Sequence, residues 1–255
     1  MWRILRIALL LFILASVAQT AWLARTRTAE WKTPLRVAVY PIPADGSDAS
    51  RRYVAGLGKE RYEAIEEFFR VEAAKHALPL PSPVELTLAP PIASPPPPAP
   101  FGGNPLRVIL WSLELRSWAW WNDTVKGRKP HVRVFVTYHD PALDARLAHS
   151  TGLQKGLLGV VNAYAQADMD GSNNVVIAHE LLHTLGATDK YDPATNLPVF
   201  PDGYADPQAQ PLHPQRRAEI MAGRIAVSET HAETPSSLKQ AAIGAKTARE
   251  IGWRN

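Results

Sequence analysis

The stretch His179-Glu180-Leu181-Leu182-His183-Thr184-Leu185-Gly186-Ala187-Thr188-Asp189 sets two histidines four residues apart, with a glutamate directly after the first. On a helix, side chains four residues apart lie on the same face, so both imidazoles can reach one metal ion. Imidazole nitrogen suits zinc, and a catalytic zinc keeps three protein ligands and an open position for water. Glu180 lies at the edge of this face. Its carboxylate is expected to take a proton from the metal-bound water rather than to bind the metal.

The residues around this stretch predict a helix that ends at Gly186. Segment 170–174 (Asp-Gly-Ser-Asn-Asn) is rich in turn and N-cap residues, and an apolar run at 175–177 follows it. The three leucines of the stretch continue an apolar face that would pack against a sheet. Glycine adopts the left-handed conformation that ends a helix without steric penalty. A turn at this glycine can return Asp189 to the metal as the third ligand.

An ordinary buried helix whose histidines meet by chance is the alternative. From average residue frequencies, a bare His-Glu-x-x-His arises in about one chain of this length per hundred. A glycine and a ligand-type residue at the right positions lower that frequency by about a further factor of one hundred. The pattern therefore favours a metal site over coincidence.

The stretch resembles the metzincin metalloprotease signature, His-Glu-x-x-His-x-x-Gly-x-x-His, with aspartate in the last position. The matching positions are His179, Glu180, His183, Gly186 and Asp189. The aspartate is similar to that of the snapalysin-type variant, in which it is the third zinc ligand. By this resemblance, His179, His183 and Asp189 bind zinc and Glu180 is the catalytic residue.

A second feature of metzincins is a methionine in a tight turn beneath the metal. Segment 219–223 (Glu-Ile-Met-Ala-Gly) is similar, and Met221 is the only methionine after the motif. Several metzincins carry a tyrosine two residues after this methionine, but Gly223 stands there. Tyr191 and Tyr204 are nearby in sequence, and the pattern assigns that role to neither.

The resemblance covers residues 34 to 255 and implies an α+β fold of two lobes. The N-terminal lobe, about 34–186, would hold a mixed five-stranded sheet, a backing helix and the active-site helix. The small C-terminal lobe, about 187–255, would end in a helix. The domain as a whole would span 31–255.

Alternation and β-branched residues predict strands, and longer amphipathic patterns predict helices. Strands are expected at 35–42, 84–88, 106–115, 131–139 and 157–165, and helices at 59–78, along the motif, and at 236–251. By the resemblance, strand 131–139 would be the antiparallel edge of the sheet. In the family, this edge strand pairs with an extended peptide substrate.

Two further segments have unusual composition. Prolines crowd the chain between Pro79 and Pro105, so 89–105 is expected to be an extended, exposed insertion. A cluster of three tryptophans, at 118, 120 and 121, precedes a basic turn at 126–129. These tryptophans would line a substrate groove, contact a membrane interface or pack a loop onto the core, and the sequence leaves the three options open.

Composition narrows the function further. The net charge of +4 on 255 residues is modest and spread along the chain, which gives no reason to expect a nucleic-acid partner. The chain has no cysteine, which excludes disulfides and a thiol-based latency switch. The oligomeric state cannot be read from the sequence.

Residues 1–30 read as a signal segment. Arg3 and Arg6 precede an apolar run from Ile7 to about Ala24. A signal peptide would be cut after the small-x-small site Ser16-Val17-Ala18, whereas a signal anchor would use the whole run to span the bilayer. The anchor is the preferred interpretation. Either way the catalytic domain is expected outside the cytoplasmic membrane, periplasmic or extracellular, either membrane-anchored or secreted.

Other candidate ligands are weaker. Structural calcium is a minor expectation, with Asp192, Asp202 and Asp206 as possible ligands, although turn chemistry accounts for all three. Lone histidines are usually surface or hydrogen-bonded residues. Five such candidates are His76, His131, His139, His149 and His213. Glu219 is an alternative third zinc ligand, as in zincins with a downstream glutamate, but the spacing favours Asp189.

The sequence therefore predicts a zinc-dependent endopeptidase that acts on a peptide or protein substrate. Glu180 would activate the zinc-bound water, and Met221 would form the floor beneath the site. One alternative is a catalytically inactive, metal-stabilised envelope domain that binds a peptide or protein partner. A second is a zinc hydrolase of a non-peptide amide, which would need a closed pocket rather than an open groove.

Overall fold

The computed structural model describes residues 2, 6, 7, 31–100, 104–144, 147, 150–153 and 157–254. Within them the chain forms an α+β fold around a five-stranded mixed sheet. The strands are β1 (Leu35–Pro43), β2 (Val84–Leu88), β3 (Val132–His139), β4 (Thr151–Leu153) and β5 (Leu158–Tyr164). The predicted signal segment lies almost wholly outside the described residues. No helix that the structure describes is long and apolar enough to span a bilayer.

The strands lie in the order β2-β1-β3-β5-β4, and only the β5–β4 pair is antiparallel. β1 and β3 lie inside the sheet, and nearly all their residues are buried. Strands covered on both faces read as continuous apolar runs, which explains their sequences. The strands predicted at 35–42, 84–88, 131–139 and 157–165 are confirmed as strands.

The described residues contain five α-helices: α1 (Asp48–Ala55), α2 (Glu63–Lys75), α3 (Pro105–Trp121), α4 (Asp170–Leu185) and α5 (Ala245–Glu250). Helices α2 and α4 pack on one face of the sheet, and their buried residues join the larger core cluster. Helix α3 packs on the other face, where the Trp118 and Phe135 rings meet edge-on with centroids 4.7 Å apart. The motif helix α4 is thus supported by one face of the sheet.

The prediction of a strand at 106–115 is wrong, because this segment belongs to helix α3. Asn104 caps the helix by accepting the Leu106 N–H at 3.0 Å, and Pro105 supplies a backbone angle already suited to the first turn. The apolar residues of α3 lie on its exposed side as well as its buried side. The sequence therefore lacks the helical alternation of polar and apolar residues that would have identified it.

The prediction that strand 131–139 forms the antiparallel edge is also wrong. β3 is parallel to both of its neighbours, β1 and β5, and lies at the centre of the sheet. The antiparallel edge is β4, a three-residue strand that pairs with β5. Strand order depends on pairing between distant segments, which the period of one strand does not encode.

Helix bounds differ from the predictions at several ends. Residues 59–62 form a 3₁₀ turn, and α2 ends at Lys75. Helix α1 was not predicted; the Ser47 hydroxyl caps it by accepting the Ser50 N–H at 3.0 Å. Of the helix predicted at 236–251, only α5 is α-helical, because residues 241–242 pair with 218–219 as a short parallel ladder.

The predicted N-cap segment 170–174 lies inside α4, whose N-cap position is Met169. Its asparagines bond to neighbouring backbone instead of capping the helix. The Asn173 amide accepts the Tyr164 N–H at 3.1 Å and donates to the Tyr164 carbonyl at 2.9 Å. Asn174 donates to the Arg61 carbonyl at 2.7 Å. These bonds tie the start of the motif helix to β5 and to the turn before α2.

The chain after the motif is mostly irregular but packs into the same core cluster as the sheet. Three long-range hydrogen bonds attach this segment to the N-terminal part of the chain. Glu72 accepts the Ile243 N–H at 2.9 Å, and a His76 ring nitrogen contacts the Ile243 carbonyl at 2.7 Å. The Trp31 indole donates to the Ile251 carbonyl at 2.7 Å. One continuous core therefore supports both predicted lobes.

Asp123, just beyond the end of α3, holds this helix to the sheet. Its carboxylate accepts the Tyr40 hydroxyl at 2.7 Å and an Arg133 N–H at 2.9 Å, and its side chain is only 6% exposed. Burial alone would raise the pKa of Asp123, but the hydrogen bonds from Arg133 and Tyr40 outweigh it and lower the pKa to about 2.

We expect Asp123→Ala to lower the free energy of unfolding by about 1–3 kcal/mol, because it leaves the Arg133 and Tyr40 donors without their shared acceptor. The folded pKa lies below the unfolded one, so the stabilisation is present above about pH 4 and disappears as the pH falls through about 2. Urea unfolding at several pH values measures both effects. Glu67→Ala, which removes a surface ion pair with Arg70, should change stability little, and an equal loss in both variants would contradict this account.

Candidate metal centre

Helix α4 brings the two motif histidines into contact, with ring centroids 4.6 Å apart. Each ring is oriented by a backbone carbonyl. The His179 Nδ1 lies 2.8 Å from the Ile220 carbonyl, and the His183 Nδ1 lies 2.9 Å from the Ala187 carbonyl. A carbonyl oxygen can only accept, so each Nδ1 must carry the proton. In the neutral imidazoles, both Nε2 atoms then expose a lone pair, the form in which histidine binds a metal.

Asp189 reaches the same point. Its Oδ1 atom lies 3.3 Å from the His179 Nε2 and 3.1 Å from the His183 Nε2. The helix ends at Gly186, whose φ of +107° is left-handed as predicted, and the chain turns back from there. Ligand atoms about 2.0–2.1 Å from an ion at tetrahedral angles are about 3.3 Å apart. The two distances from the Asp189 oxygen therefore fit ligands of one zinc ion.

The electrostatics of this cluster also call for a cation. Two nitrogen lone pairs and a carboxylate oxygen repel one another at these distances unless positive charge lies among them. Burial alone would raise the pKa of Asp189, but its close contacts with the His179 and His183 imidazoles outweigh burial and hold the pKa well below its usual range, so the carboxylate carries the negative charge that attracts a cation. The donor set of two imidazoles and one carboxylate is one that zinc accepts in catalytic sites.

Glu180 lies beside these three residues and is only 6% exposed. Its carboxylate accepts the Gly152 N–H, while its Oε2 atom is buried without a hydrogen-bond partner. Burial raises the pKa of Glu180, although the neighbouring histidines oppose the shift. Ligand-type atoms of His179, Glu180 and His183 all lie within 4.8 Å of one another. We place Asp189 rather than Glu180 as the third ligand because one Asp189 oxygen touches both imidazoles.

The predicted methionine turn lies directly under the helix. Met221 is fully buried, and the carbonyl that orients His179 belongs to the residue before it. Glu219, the alternative third ligand, points into this turn instead of toward the histidines. Its carboxylate accepts four hydrogen bonds, from the backbone N–H groups of Met221, Ala222 and Gly244 and from the Thr247 hydroxyl.

The other predicted ligands are not brought together. Each of the three calcium candidates has another partner. Asp192 accepts the Ala194 N–H, Asp206 accepts the Gln208 N–H, and Asp202 pairs with Lys246. Among the described histidines outside the motif, His76, His131, His139 and His213 each use one ring nitrogen in a hydrogen bond, and His231 lies near Glu233. His149 lies outside the described residues. In the part of the chain that the structure describes, only the motif supplies a metal-binding group of three or more such residues.

The metal centre opens into a solvent-accessible cavity of about 820 Å³. The motif residues form its floor, and Thr151 and Gly152 of strand β4 line one side. Tyr191 and Gly223 also line the cavity. An edge strand therefore runs beside the centre, although it is β4 and not the strand that the sequence analysis assigned.

Sequence reasoning missed two residues of this site. Tyr191 lies against Asp189, and burial together with the negative charges of Asp189 and Glu180 raises its pKa. The spacing in the sequence could have identified Tyr191. In an extended segment, side chains two residues apart point to the same side, so Tyr191 is expected on the same side of the chain as Asp189. Tyr204 instead places its hydroxyl 3.1 Å from a His213 ring nitrogen.

The second missed residue is Gly152, where strand and helix approach closely. A Cβ atom there would lie 2.6 Å from the His183 Cβ and 2.7 Å from the Glu180 carbonyl oxygen. Only glycine allows the strand to come near enough for its N–H to reach the Glu180 carboxylate. This contact joins segments far apart in the chain, so no local pattern reports it.

Comparison of the sequence with protein-family models and with curated proteins finds no match. The likeness to metzincins therefore rests on the motif and the methionine turn.

We expect Gly152→Ala to push β4 away from α4 and to lower zinc affinity by about 10- to 100-fold, because Glu180 loses its orienting partner and His183 is displaced. Gly159→Ala is the matched control. Gly159 faces Gly152 across the β4–β5 ladder, yet the nearest atom to its added Cβ would be 3.8 Å away. Competition titration against a zinc chelator measures both variants, and equal affinities would refute the close-approach argument.

We expect about one zinc per chain in the purified protein, measured by elemental mass spectrometry. Asp189→Ala should bind zinc weakly because it removes the oxygen that contacts both imidazoles. Glu180→Gln should retain the metal, since its carboxylate accepts the Gly152 N–H and is not assigned as a ligand. A wild-type protein without zinc after exposure to the free ion would show that the motif is not a zinc site.

Proposed function

We propose that the protein is a zinc-dependent endopeptidase of the metzincin type, with the snapalysin-like ligand set His179, His183 and Asp189. The observation that carries this proposal is that one Asp189 oxygen lies 3.3 Å from the His179 Nε2 and 3.1 Å from the His183 Nε2, the separation expected for ligands of one tetrahedral zinc ion. Beside them lies a buried carboxylate oxygen, that of Glu180, with no partner in the protein. Such an atom is costly unless a ligand or a water molecule satisfies it.

Zinc, when bound, would polarise the scissile carbonyl and lower the pKa of a water molecule in the open position. The chain's own residues would move the proton. The Gly152 N–H holds the Glu180 carboxylate in place and leaves Oε2 to take a proton from the attacking water. The raised pKa of Glu180 suits both parts of this task, because the same group must later give the proton to the leaving amine.

Tyr191 is the nearest candidate for stabilising negative charge on the substrate. Its phenol lines the cavity beside Asp189, and its raised pKa keeps it protonated at neutral pH. A phenol O–H can donate to the oxygen that gains charge as the carbonyl is attacked. This role would compensate for Gly223, which occupies the position where several metzincins have a tyrosine.

The cavity is better suited to an extended peptide than to a small amide. It is open to solvent, and β4 at the edge of the sheet supplies part of its wall. An edge strand offers backbone groups with which an extended chain can pair. We therefore propose peptide or protein as the substrate and, from the signal segment, a site of action outside the cytoplasmic membrane.

We expect Glu180→Gln to lower kcat/KM on a fluorogenic peptide library by about 10²- to 10⁴-fold while zinc content is unchanged, since only the proton transfer is lost. Tyr191→Phe should lower kcat by about 10- to 10³-fold with little change in KM, because the donor acts on charge that develops in the transition state. Glu67→Gln, an exposed change on α2, is the control. A zinc-loaded wild type that cleaves no member of the library would instead favour the partner-binding alternative.

A further inference from the structure

Helix α3 turns an apolar stripe toward solvent. Seven large apolar side chains along it are 39–75% exposed. Six of them share one side of the helix, and the seventh, Val108, lies off that side. The six are Leu106, Ile109, Leu110, Leu113, Trp120 and Trp121. Among the described residues, no other helix or strand exposes so many large apolar side chains. Contiguous exposed apolar patches on folded proteins mark surfaces that bind something.

The stripe follows the helix geometry. Its members are offset from the first by 3, 4, 7, 14 and 15 residues, spacings that at 3.6 residues per turn fall within about one third of the circumference. The opposite side carries Trp111, Leu115 and Ala119, which are buried against the rest of the protein. The helix is therefore anchored to the sheet by one side, and the stripe is a second apolar side that remains exposed among the residues that the structure describes.

Charges around the stripe are mainly positive. Arg107 and Arg116 flank it, with Glu114 as the only acidic residue in the helix. Beyond the helix end, the exposed basic turn 126–129 (Lys-Gly-Arg-Lys) follows. A surface that combines an apolar stripe with basic neighbours is complementary to a bilayer with anionic headgroups.

We propose that α3 and the basic turn 126–129 form an interfacial binding surface for an anionic lipid bilayer. The helix lies in the plane of the headgroups with the stripe inserted. Trp120 and Trp121 lie at the headgroup level that tryptophan prefers, and the basic turn contacts the lipid phosphates. A second copy of the chain is the less favourable occupant, because pairing two stripes would bring their flanking arginines and basic turns together. This inference does not depend on the proposed enzymatic activity.

The chain has no cysteine, so a single introduced cysteine carries a unique label. We would attach an environment-sensitive fluorophore at Leu110→Cys in the stripe and, separately, at Glu67→Cys on α2, which covers the other face of the sheet. Both side chains are exposed, so neither substitution disturbs the core. The full-length protein is mixed with vesicles of phosphatidylglycerol and phosphatidylcholine, with and without brominated acyl chains, and with pure phosphatidylcholine vesicles as the neutral comparison.

The label at position 110 should shift to shorter wavelength with anionic vesicles and be quenched by brominated lipid, whereas the label at 67 should not change. Insertion of the N-terminal segment alone would leave both labels in water, which separates it from docking of α3. Lys126→Glu with Arg128→Glu should reduce the response at 110 by about tenfold or more. The same double reversal at Arg51 and Arg70, on the other face, should not.

Three results would overturn the proposal. A label at 110 that stays in water with anionic vesicles would exclude lipid contact. An equal response with pure phosphatidylcholine would exclude the role of the basic turn. A wavelength shift that depends on protein concentration in the absence of lipid would assign the stripe to a second copy of the chain.

Discussion

The candidate metal centre depends on two backbone carbonyls that each fix a histidine tautomer. By holding the Nδ1 protons of His179 and His183, the carbonyls of Ile220 and Ala187 turn both Nε2 lone pairs toward the Asp189 carboxylate. The fold then holds three mutually repelling acceptors close together, and a bound cation would relieve that repulsion. Because the protein itself orients these groups, the free-energy cost of ordering them on metal binding would be low.

This arrangement couples parts of the chain that are distant in sequence. One carbonyl comes from the turn just after the motif helix, but the other comes from the methionine turn some forty residues later. The methionine turn is stabilised by Glu219. The buried Glu219 carboxylate accepts hydrogen bonds from backbone N–H groups of this turn and from Gly244 and Thr247. A buried carboxylate with four donors is well satisfied, so it can act as a rigid hub rather than as a source of strain.

The local parts of this structure could be predicted from the sequence, and the parts that depend on distant contacts could not. The motif helix, its end at Gly186 and the return of Asp189 follow from spacing and glycine conformation, all within a dozen residues. Helix α3 was mistaken for a strand because apolar residues on both of its sides hide the helical period. The edge position of β4 and the close approach at Gly152 depend on contacts between separate elements, which one sequence does not record. The metzincin assignment itself stays a prediction, since the geometry supports a metal centre and not a particular substrate.

The positions of the Glu219 partners determine when the candidate metal centre can form during synthesis of the protein. Two of the four donors to this carboxylate, Gly244 and Thr247, come after residue 240, well beyond the motif helix. A ribosome-bound chain that has emerged only as far as residue 240 contains the whole His-Glu-x-x-His helix but lacks the groups that steady the turn beneath it. We therefore expect the turn that orients His179 to be steadied only after residues 244–247 have been made. For the proposed peptidase, this delay would protect the protein from itself. The active site would not be ordered while unfolded segments of the same chain are still available for cleavage.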